Sequence, residues 1–282
     1  MINEFVEPGN FYSVIPNITK DYNNRDTTFL NLDFNEKSHV SILKELPTYL
    51  TKFDEEFGHT NVIERQNEGK YTLMNGAFEW MDARLLHYFL QKNKPKKIIE
   101  IGSGNSTLLT YNTKILYDLD LDIICIEPYP SDYLNQLHTL GKITLIVEKL
   151  ENIDLSIFKT LSENDILFID STHVLKLGSD VMFYFTKIFP LLNKGVLVHI
   201  HDIFFPYDYP LEWIQGGRFW NEQYFLYVFL QYNTTFKIKF CNSYSQFKYS
   251  KELKKIQKNT YEIKNKIIKE VFSGGSIWLN VE

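Results

Sequence analysis

Short apolar runs alternate with amphipathic segments through the middle of the chain, and this alternation predicts an α/β fold. The apolar runs are rich in β-branched residues and are bounded by turn formers, as buried strands are. They lie at Lys97–Ile101, Asp122–Ile126, Ile143–Val147, Asp165–Ile169 and Gly195–Ile200. Helical patterns lie between them, at Ser106–Tyr117, Ser131–Leu140, Leu155–Leu161 and Leu177–Phe189. Such alternation is typical of a mostly parallel sheet with helices on both faces.

The C-terminal part of the chain has a different rhythm. Phe236–Phe240 and Ser276–Val281 are two further strand candidates, and a pair of glycines precedes the second. The lysine-rich segment Lys248–Glu270 between them carries apolar residues at helical spacing, and we expect it to be helical. Because these two late strands are not part of the alternation of strands and helices, we predict that they form an antiparallel hairpin at the edge of the sheet. The complete sheet would then have seven strands.

The N-terminal part is polar, is interrupted by Pro8, Pro16 and Pro47, and shows no strong periodicity. We predict an N-terminal arm or lid with short helices over residues 1–75 and a larger domain over residues 76–282. The larger domain would open with an amphipathic helix that begins near Phe78. That helix should end before Pro95, because the residue before a proline disfavours the helical conformation.

Composition excludes several classes of protein. Hydrophobic residues make up 44% of the 282 residues, which is ample for a core. A formal charge of −5 argues against a nucleic-acid partner. The chain has no apolar run long enough for a transmembrane segment, and its first residues lack the features of a secretory signal, so we expect a cytoplasmic protein. Cys125 and Cys241 both fall in predicted strands, which favours packed thiols over a disulfide.

The motif KKIIEIGSGNST at residues 96–107 is the strongest chemical signal. It places a glycine turn between a buried strand and a helix, where Gly102 and Gly104 would let backbone amides approach a ligand. Dinucleotide-binding enzymes share such a turn. They favour a small residue where this chain has Thr107, however, and the carboxylate of Glu100 would be unfavourable beside a pyrophosphate. A ligand with an amino group and a sulfonium would instead be favoured.

Glu127 follows the second strand, where its carboxylate could accept two hydrogen bonds from ribose hydroxyls. Both acids also have ordinary structural interpretations. Glu127 could simply begin a loop, and Glu100 could pair with a lysine. Their combination with the glycine turn favours the ligand interpretation.

Six segments carry a resemblance to a known family: IIEIGSGNSTLL, CIEPYP, DILFIDSTHV, GVLVHIHDIFFPYDYP, WNEQY and SGGSIWL. They resemble the class I S-adenosylmethionine-dependent methyltransferases, which have a Rossmann-like fold, and are similar to the bacterial branch that methylates sugars, surface glycans and small molecules. The resemblance covers the chain from about Phe78 to the C-terminus. It implies that residues 76–282 form an S-adenosylmethionine-binding catalytic domain.

The resemblance also implies which residues bind the cofactor. Glu100, Gly102 and Gly104 would lie along the methionine part, with Ser103 and Ser106 in the same turn. Glu127 would bind the ribose, and the Leu150–Glu151 region would flank the adenine. Asp170, at the end of the fourth strand, completes the predicted cofactor set.

Asp170 and Asp202 end the fourth and fifth strands, and ligands of open α/β sheets bind beyond such ends. His173, His199 and His201 fall in the same two segments. On a regular strand His199 and His201 share one face and Asp202 faces the other, so we expect His199 to be a buried, hydrogen-bonded core residue. Asp170, His173, His201 and Asp202 are the candidate catalytic residues.

Methyl transfer to an alcohol requires alignment of the acceptor oxygen and removal of its proton. Metal-dependent relatives use an Asp at the fourth strand and an acidic pair at the fifth to hold a divalent cation. Here Asp170, His201 and Asp202 would form that set, with His201 in place of one acid, and imidazole favours a softer ion than magnesium. A metal-free route would use His173 or His201 as the base. The sequence leaves both routes open.

The segment after the fifth strand is a loop rich in aromatic residues, with carboxylates and an amide among them. Aromatic faces beside hydrogen-bonding groups suit a carbohydrate, although an ordinary packed loop has the same composition. The candidate substrate-binding residues are Tyr207, Asp208, Tyr209, Trp213, Trp220, Asn221 and Glu222.

The sequence therefore predicts an S-adenosylmethionine-dependent O-methyltransferase that acts on a hydroxyl of a sugar or glycan-linked small molecule. Magnesium or a similar divalent metal is a possible second cofactor, and a homo-oligomer is a possible assembly. Two other functions stay open at this point. They are a NAD-type Rossmann oxidoreductase and a noncatalytic protein that binds S-adenosylmethionine.

Overall fold

The computed structural model describes residues 7, 9–10, 13–16, 29–58, 62–256, 260–263, 266–269 and 274–282. It contains nine strands: β1 (Lys97–Ile101), β2 (Asp122–Ile126), β3 (Thr144–Ile146), β4 (Ile166–Ile169), β5 (Leu197–His201), β6 (Phe236–Cys241), β7 (Thr260–Ile263), β8 (Lys266–Lys269) and β9 (Ser276–Val281). Seven of them form one sheet in the order β3-β2-β1-β4-β5-β9-β6. The strands β7 and β8 form a separate antiparallel pair.

The sheet confirms the predicted fold class. Strands β1 to β5 pair in parallel, and β9 lies antiparallel between β5 and β6. The strand order reverses at β1, which has β2 on one side and β4 on the other. All five parallel strands end at the same edge, and a crevice opens where the order reverses. The late strands form the expected antiparallel pair at the edge of the sheet.

Helices cover the sheet and carry the connections between strands. The α-helices are α1 (Glu36–Tyr49), α2 (Phe53–Phe57), α3 (Val62–Asn67), α4 (Trp80–Asn93), α5 (Asn105–Leu116), α6 (Asp132–Thr139), α7 (Asp180–Phe183), α8 (Leu211–Gln215), α9 (Glu222–Gln231), α10 (Asn242–Lys248) and α11 (Ser250–Ile256). Short 3-10 helices lie at Leu150–Asn152, Leu155–Thr160 and Phe189–Leu191, and a π-helix at Tyr184–Ile188 continues α7.

The core has two apolar layers because successive side chains of a strand point to opposite faces. Ile98 of β1 packs in the layer that contains Leu85 of α4 and Leu108 of α5. The next residue, Ile99, packs in the layer that contains Val181 of α7 and Leu226 of α9. Both faces of the sheet are therefore covered, as the near-continuous apolar strands predict.

Two predicted helices differ in the structure. The segment from Leu177 is a loop until Ser179, whose side chain accepts a hydrogen bond from the Met182 amide and caps α7. The prediction of a helix over Lys248–Glu270 is wrong beyond Ile256, because the chain forms β7 and β8 there. The β-branched and aromatic residues of TYEI favour a strand. The spacing of the isoleucines alone did not distinguish the repeat of a helix from that of a strand.

The segment of the N-terminal arm around Phe34 and His39 packs on the far edge of the sheet. The ring of Phe34 stacks on Tyr244 at 3.9 Å, and the Cys241 amide donates to His39 Nε2 at 2.9 Å. Residues 1–6, 8, 11–12, 17–28 and 59–61 of the arm lie outside the described residues, so the division at residue 75 stays a prediction. Among the described residues, no helix combines the length and apolar character needed to cross a lipid bilayer.

Candidate active site at the carboxyl edge of the sheet

The glycine turn after β1 is held between its two neighbouring strands. The Gly102 amide donates to the Ile126 carbonyl at 3.0 Å, and the Asp170 amide donates to the Ile101 carbonyl at 2.9 Å. Gly102 has a φ of 77°, in the left-handed region that favours glycine. A Cβ atom there would lie 1.8 Å from the Asp170 carbonyl oxygen. Only glycine fits, and the turn is fixed against the end of β4.

Glu100 lies behind this turn and is fully buried. The Thr107 hydroxyl donates to its carboxyl group, and the Cys125 thiol lies 3.8 Å from the same oxygen. Burial raises the pKa of Glu100 to about 7. Thr107 Oγ1 also accepts from the Gly104 amide at 3.2 Å, so Glu100 supports the turn through Thr107. A direct contact of Glu100 with a cofactor stays a prediction.

Two neighbouring cavities open beside the turn. The larger has about 460 Å³ and lies over the ends of β1, β2 and β4, and the smaller has about 190 Å³ and lies over the start of α5. Gly102, Glu127 and Asp170 line both. The other predicted cofactor residues that line them are Leu150 and Glu151 in the larger and Ser103, Gly104 and Ser106 in the smaller. The fold thus brings eight of the nine predicted cofactor residues to one cleft.

The carboxylate of Glu127 lies at the junction of the two cavities and is half-buried. Its Oε2 accepts from the Ser103 amide at 3.2 Å, and its Oε1 accepts from the Tyr129 amide at 2.9 Å. Each oxygen keeps a further lone pair, so the group can also accept from ligand hydroxyls. The sequence analysis missed Tyr129 and Asp180 on the larger cavity and Phe78 and Tyr133 on the smaller, because no local pattern marks them.

His173 joins the ends of β4 and β5. Its Nε2 lies 3.4 Å from Asp170 Oδ1 and 3.4 Å from Asp202 Oδ2. Its Nδ1 lies 2.7 Å from Glu222 Oε2. The imidazole is buried, whereas Asp170 and Asp202 are half-buried. The catalytic candidates Asp170, His173 and Asp202 thus meet in one cluster, as the strand ends predict.

The cluster changes the protonation of its members. Burial disfavours the charged ring of His173, but the three surrounding carboxylates outweigh it and raise its pKa well above the usual value. Burial likewise disfavours the charged form of Asp170, but the rings of His201 and His173 outweigh it and lower the pKa of that carboxyl. Burial raises the pKa of Asp202 to about 6. A positively charged His173 beside ionised carboxylates is therefore favoured in the free protein.

His201 is buried and lies at the margin of the cluster, with Nε2 at 3.7 Å from Asp202 Oδ1. Burial disfavours its charged form, but Asp202 and Asp170 outweigh that effect and raise its pKa. His199 lies on the same face, with ring centroids 5.7 Å apart. It is buried as expected, packed on Phe168 at 4.1 Å, but neither of its ring nitrogens has a hydrogen-bond partner. The expected hydrogen bond of His199 is therefore not observed.

The three side chains whose ligand atoms converge among the described residues are Asp170, His173 and Asp202, all within 4.8 Å of one another. The sequence analysis named His201 in place of His173. Two carboxylates and one imidazole fit a divalent cation, and the contact of His173 Nδ1 with Glu222 matches the outer support that metal-bound histidines have. This mixed set suits a transition metal such as manganese or zinc at least as well as magnesium.

The aromatic loop lies beside His173, and its members have different environments. The Trp220 ring lies 4.3 Å from the His173 ring, and Trp213 lies 5.1 Å from Trp220. The guanidinium of Arg218 lies over both indoles, at 5.0 Å and 5.6 Å. These half-buried indoles are the candidate substrate residues next to the cluster.

The other candidate substrate residues are engaged by the protein or line a different cavity. Tyr209 is buried, and its hydroxyl accepts from the Gln223 amide at 3.1 Å. Glu222 is fully buried behind His173, and both ends of the Asn221 amide bond the Leu175 backbone. Tyr207 and Asp208 line another cavity of about 410 Å³ with Phe247. Contacts of these residues with a substrate stay predictions.

Comparison with known proteins gives three kinds of match. Residues 99–203 match a family model described as "Methyltransferase domain". An uncharacterized protein of Archaeoglobus fulgidus is 34% identical over 174 residues, which cover 58% of this chain and 76% of the relative. The matched domain spans β1 to β5 and includes the glycine turn and the cluster at the strand ends.

Two solved structures are among those to which the chain is similar. The SAH-bound methyltransferase PaMTH1 of Podospora anserina is 14% identical, with 89% of this chain and 98% of that chain covered and a TM-score of 0.47. A putative O-methyltransferase from Klebsiella pneumoniae is 14% identical, with 85% and 99% covered and a TM-score of 0.42.

Proposed function

This chain belongs to the class I S-adenosylmethionine-dependent methyltransferases, and from that premise we propose that it methylates a hydroxyl of a sugar or glycan-linked small molecule. The observation that carries the proposal is the cluster of Asp170, His173 and Asp202 beside the cleft, with Trp220 against its imidazole. An alcohol needs help to lose its proton, and this cluster offers both a base and carboxylates.

Bound S-adenosylmethionine supplies a methyl group activated by a sulfonium. We assign the ribose to Glu127, because its two oxygens lie at the junction of the cavities and keep lone pairs for hydroxyl donors. The methionine part is assigned to the smaller cavity, where Gly102, Ser103 and Gly104 turn their backbone toward a ligand. Leu150 and Glu151 would flank the adenine in the larger cavity.

The cluster has two ways to ease removal of the acceptor proton. His173 can accept it at Nε2 in its neutral form, so the positively charged ring of the free protein must first release its Nε2 proton, while Nδ1 stays engaged by Glu222. Alternatively, Asp170, His173 and Asp202 can hold a divalent cation, which would lower the pKa of a bound hydroxyl. Both routes require the same orientation of His173. Asp202 would act in the first as the carboxylate 3.4 Å from Nε2 and in the second as a ligand of the cation.

The proposed acceptor class rests on the loop beside the cluster. Trp213 and Trp220 offer indole faces near His173, and the C–H faces of a sugar pack well on such surfaces. Arg218, stacked on both indoles, adds donors that suit hydroxyl or phosphate oxygens. A carbohydrate bearing an anionic group would therefore use both features.

The test uses purified protein with S-adenosylmethionine and a panel of free sugars, nucleotide-linked sugars and extracted glycans. Mass spectrometry should detect an acceptor heavier by one methylene group together with S-adenosylhomocysteine. His173→Gln should lose the transfer but keep the rise in melting temperature that S-adenosylhomocysteine gives. The matched control is His138→Gln, because His138 is exposed on α6.

Two results would contradict the proposal. Cofactor binding without transfer to any sugar would favour the noncatalytic binding protein, or an acceptor of another class. Full activity of His173→Gln would remove the cluster from the mechanism. Glycans extracted from cells with and without the gene give an independent search for the acceptor.

A further inference from the structure

We infer that Glu222 is a positioning residue, which accepts the Nδ1 proton of His173 and thereby presents Nε2 to the reacting groups. This inference rests on the proposed function of the same site. The role differs from the substrate contact that the sequence suggests for Glu222.

The burial of Glu222 favours a supporting role behind His173 over a contact with substrate. Its side chain is fully buried, and His173 is 4% exposed. Its Oε2 lies 2.7 Å from His173 Nδ1, on the side of the ring away from Asp170 and Asp202. A buried carboxylate is strongly destabilising unless it is paired and hydrogen-bonded. The pairing with His173 satisfies that requirement.

Tyr184 fixes the direction of this hydrogen bond. Its buried hydroxyl donates to Glu222 Oε1. With Tyr184 donating to Oε1, an ionised Glu222 acts as an acceptor at both oxygens and has no proton to give. We therefore place the proton between Glu222 and His173 on Nδ1. Nε2 then faces Asp170 and Asp202.

The backbone holds Glu222 and His173 in fixed register. The amides of Asn221 and Glu222 both donate to the His173 carbonyl, at 3.1 Å and 3.2 Å. The Asn221 side chain accepts from the Leu175 amide at 2.6 Å and donates to the Leu175 carbonyl at 3.2 Å. The start of α9 is thus clamped to the loop after β4.

The backbone conformation of His173 indicates that neighbouring contacts hold this residue in place. Its φ is 60°, a left-handed conformation that is uncommon for residues other than glycine. Such a conformation persists where neighbouring contacts hold it, and it is enriched at functional sites. Here the clamp from α9 supplies those contacts. The hydrogen bonds from the start of α9 hold the His173 ring in position, and Glu222 determines which ring nitrogen carries the proton.

The first test is spectroscopic and needs no acceptor. The protein is labelled with 15N-histidine, and His173→Gln assigns the His173 signals. In the wild-type protein Nδ1 should carry a proton in a strong hydrogen bond, seen as a downfield-shifted imidazole proton. In Glu222→Gln that downfield signal should disappear. Glu252→Gln, on the exposed face of α11, should leave it unchanged.

The second test is kinetic and separates positioning from binding. Glu222→Gln should lower kcat on the order of 10²-fold, because the ring loses its fixed orientation for proton transfer. The KM for the acceptor and the melting-temperature shift with S-adenosylhomocysteine should stay as in the wild-type protein. Glu222→Asp, which keeps the carboxylate, should recover part of kcat.

Failure of the inference and failure of the proposed function give different results. An unprotonated Nδ1 in the wild-type spectrum would overturn the inference, even if Glu222→Gln does not fold. A folded Glu222→Gln with unchanged kcat would also overturn it. A protein that transfers no methyl group but shows the protonated Nδ1 would contradict the proposed function alone.

Discussion

Gly102 and Asp170 approach so closely that a Cβ atom on Gly102 would lie 1.8 Å from the Asp170 carbonyl oxygen. Gly102 belongs to the predicted cofactor turn, and Asp170 belongs to the proposed catalytic cluster. The Asp170 amide also donates to the Ile101 carbonyl beside Gly102. The proposed methyl-donor site and the cluster are therefore in direct contact at the ends of β1 and β4.

This contact predicts that Gly102→Ala is unusually destabilising. Gly141 is a matched control, because its φ is also positive, at 64°, and an added Cβ would meet nothing within 4 Å. Gly141→Ala should lower the free energy of unfolding by about 1 kcal/mol, the strain of a left-handed alanine. Gly102→Ala should lower it by about 3 kcal/mol or more, since the end of β4 must also move. Equal losses in urea unfolding would contradict the close contact.

Removal of the Glu127 carboxylate should weaken cofactor binding. Hydrogen bonds to a charged group contribute about 1.5–3 kcal/mol, so Glu127→Ala should raise the Kd for S-adenosylhomocysteine at least about tenfold. Asp122→Ala is the control, because Asp122 is exposed at the opposite end of the same strand. Calorimetry measures both. An unchanged Kd for Glu127→Ala would remove Glu127 from the cofactor site.

Loss of the Asp202 charge should abolish turnover and spare the cofactor. Asp202 has a φ of 56°, which asparagine tolerates, so Asp202→Asn tests charge without changing the backbone. We expect kcat to fall by on the order of 10²–10⁴-fold, with unchanged melting-temperature shift by S-adenosylhomocysteine. The control is Asp118→Asn, an exposed aspartate with a φ of 48°. Retained turnover in Asp202→Asn would remove Asp202 from the mechanism.

A divalent cation at the cluster should be detectable without an assay of activity. Ligands that bind only the folded state raise its stability by mass action. Manganese or zinc should therefore raise the melting temperature of the wild-type protein more than that of Asp202→Asn. If the two proteins respond equally, the cluster holds no such ion, and His173 alone accepts the proton. Turnover after exhaustive chelation gives the complementary measurement.

Glu100 predicts a pH dependence of stability. Its pKa of about 7 in the folded protein exceeds the ordinary value of 4.5, so the unfolded chain ionises first as pH rises. The free energy of unfolding should fall between about pH 4.5 and pH 7, by on the order of 3 kcal/mol from this group. Glu100→Gln should remove that part of the slope, whereas the exposed Glu163→Gln should not. Identical slopes for all three proteins in urea unfolding would show that Glu100 does not titrate in this range.

Local sequence patterns located most strands well. The bounds predicted for β1, β2 and β9 agree with the structure residue for residue. Short β-branched runs between turn formers fit a strand and are too short for a helix. Helix prediction was weaker where the apolar residues fit both a helical and a strand repeat, as in the segment after Lys248. The insertion of β9 between β5 and β6 depends on pairing across the whole sheet, which no local window contains.

The sequence by itself determined the α/β class, the glycine turn and the approach of Asp170 to Asp202, since parallel strands end at one edge of a sheet. Only the tertiary structure decided that Glu100 supports the turn through Thr107, that His173 and not His201 joins the two aspartates, and that Glu222 lies behind His173. These relationships join residues distant along the chain. Their geometry is set by packing and burial, which sequence spacing does not encode.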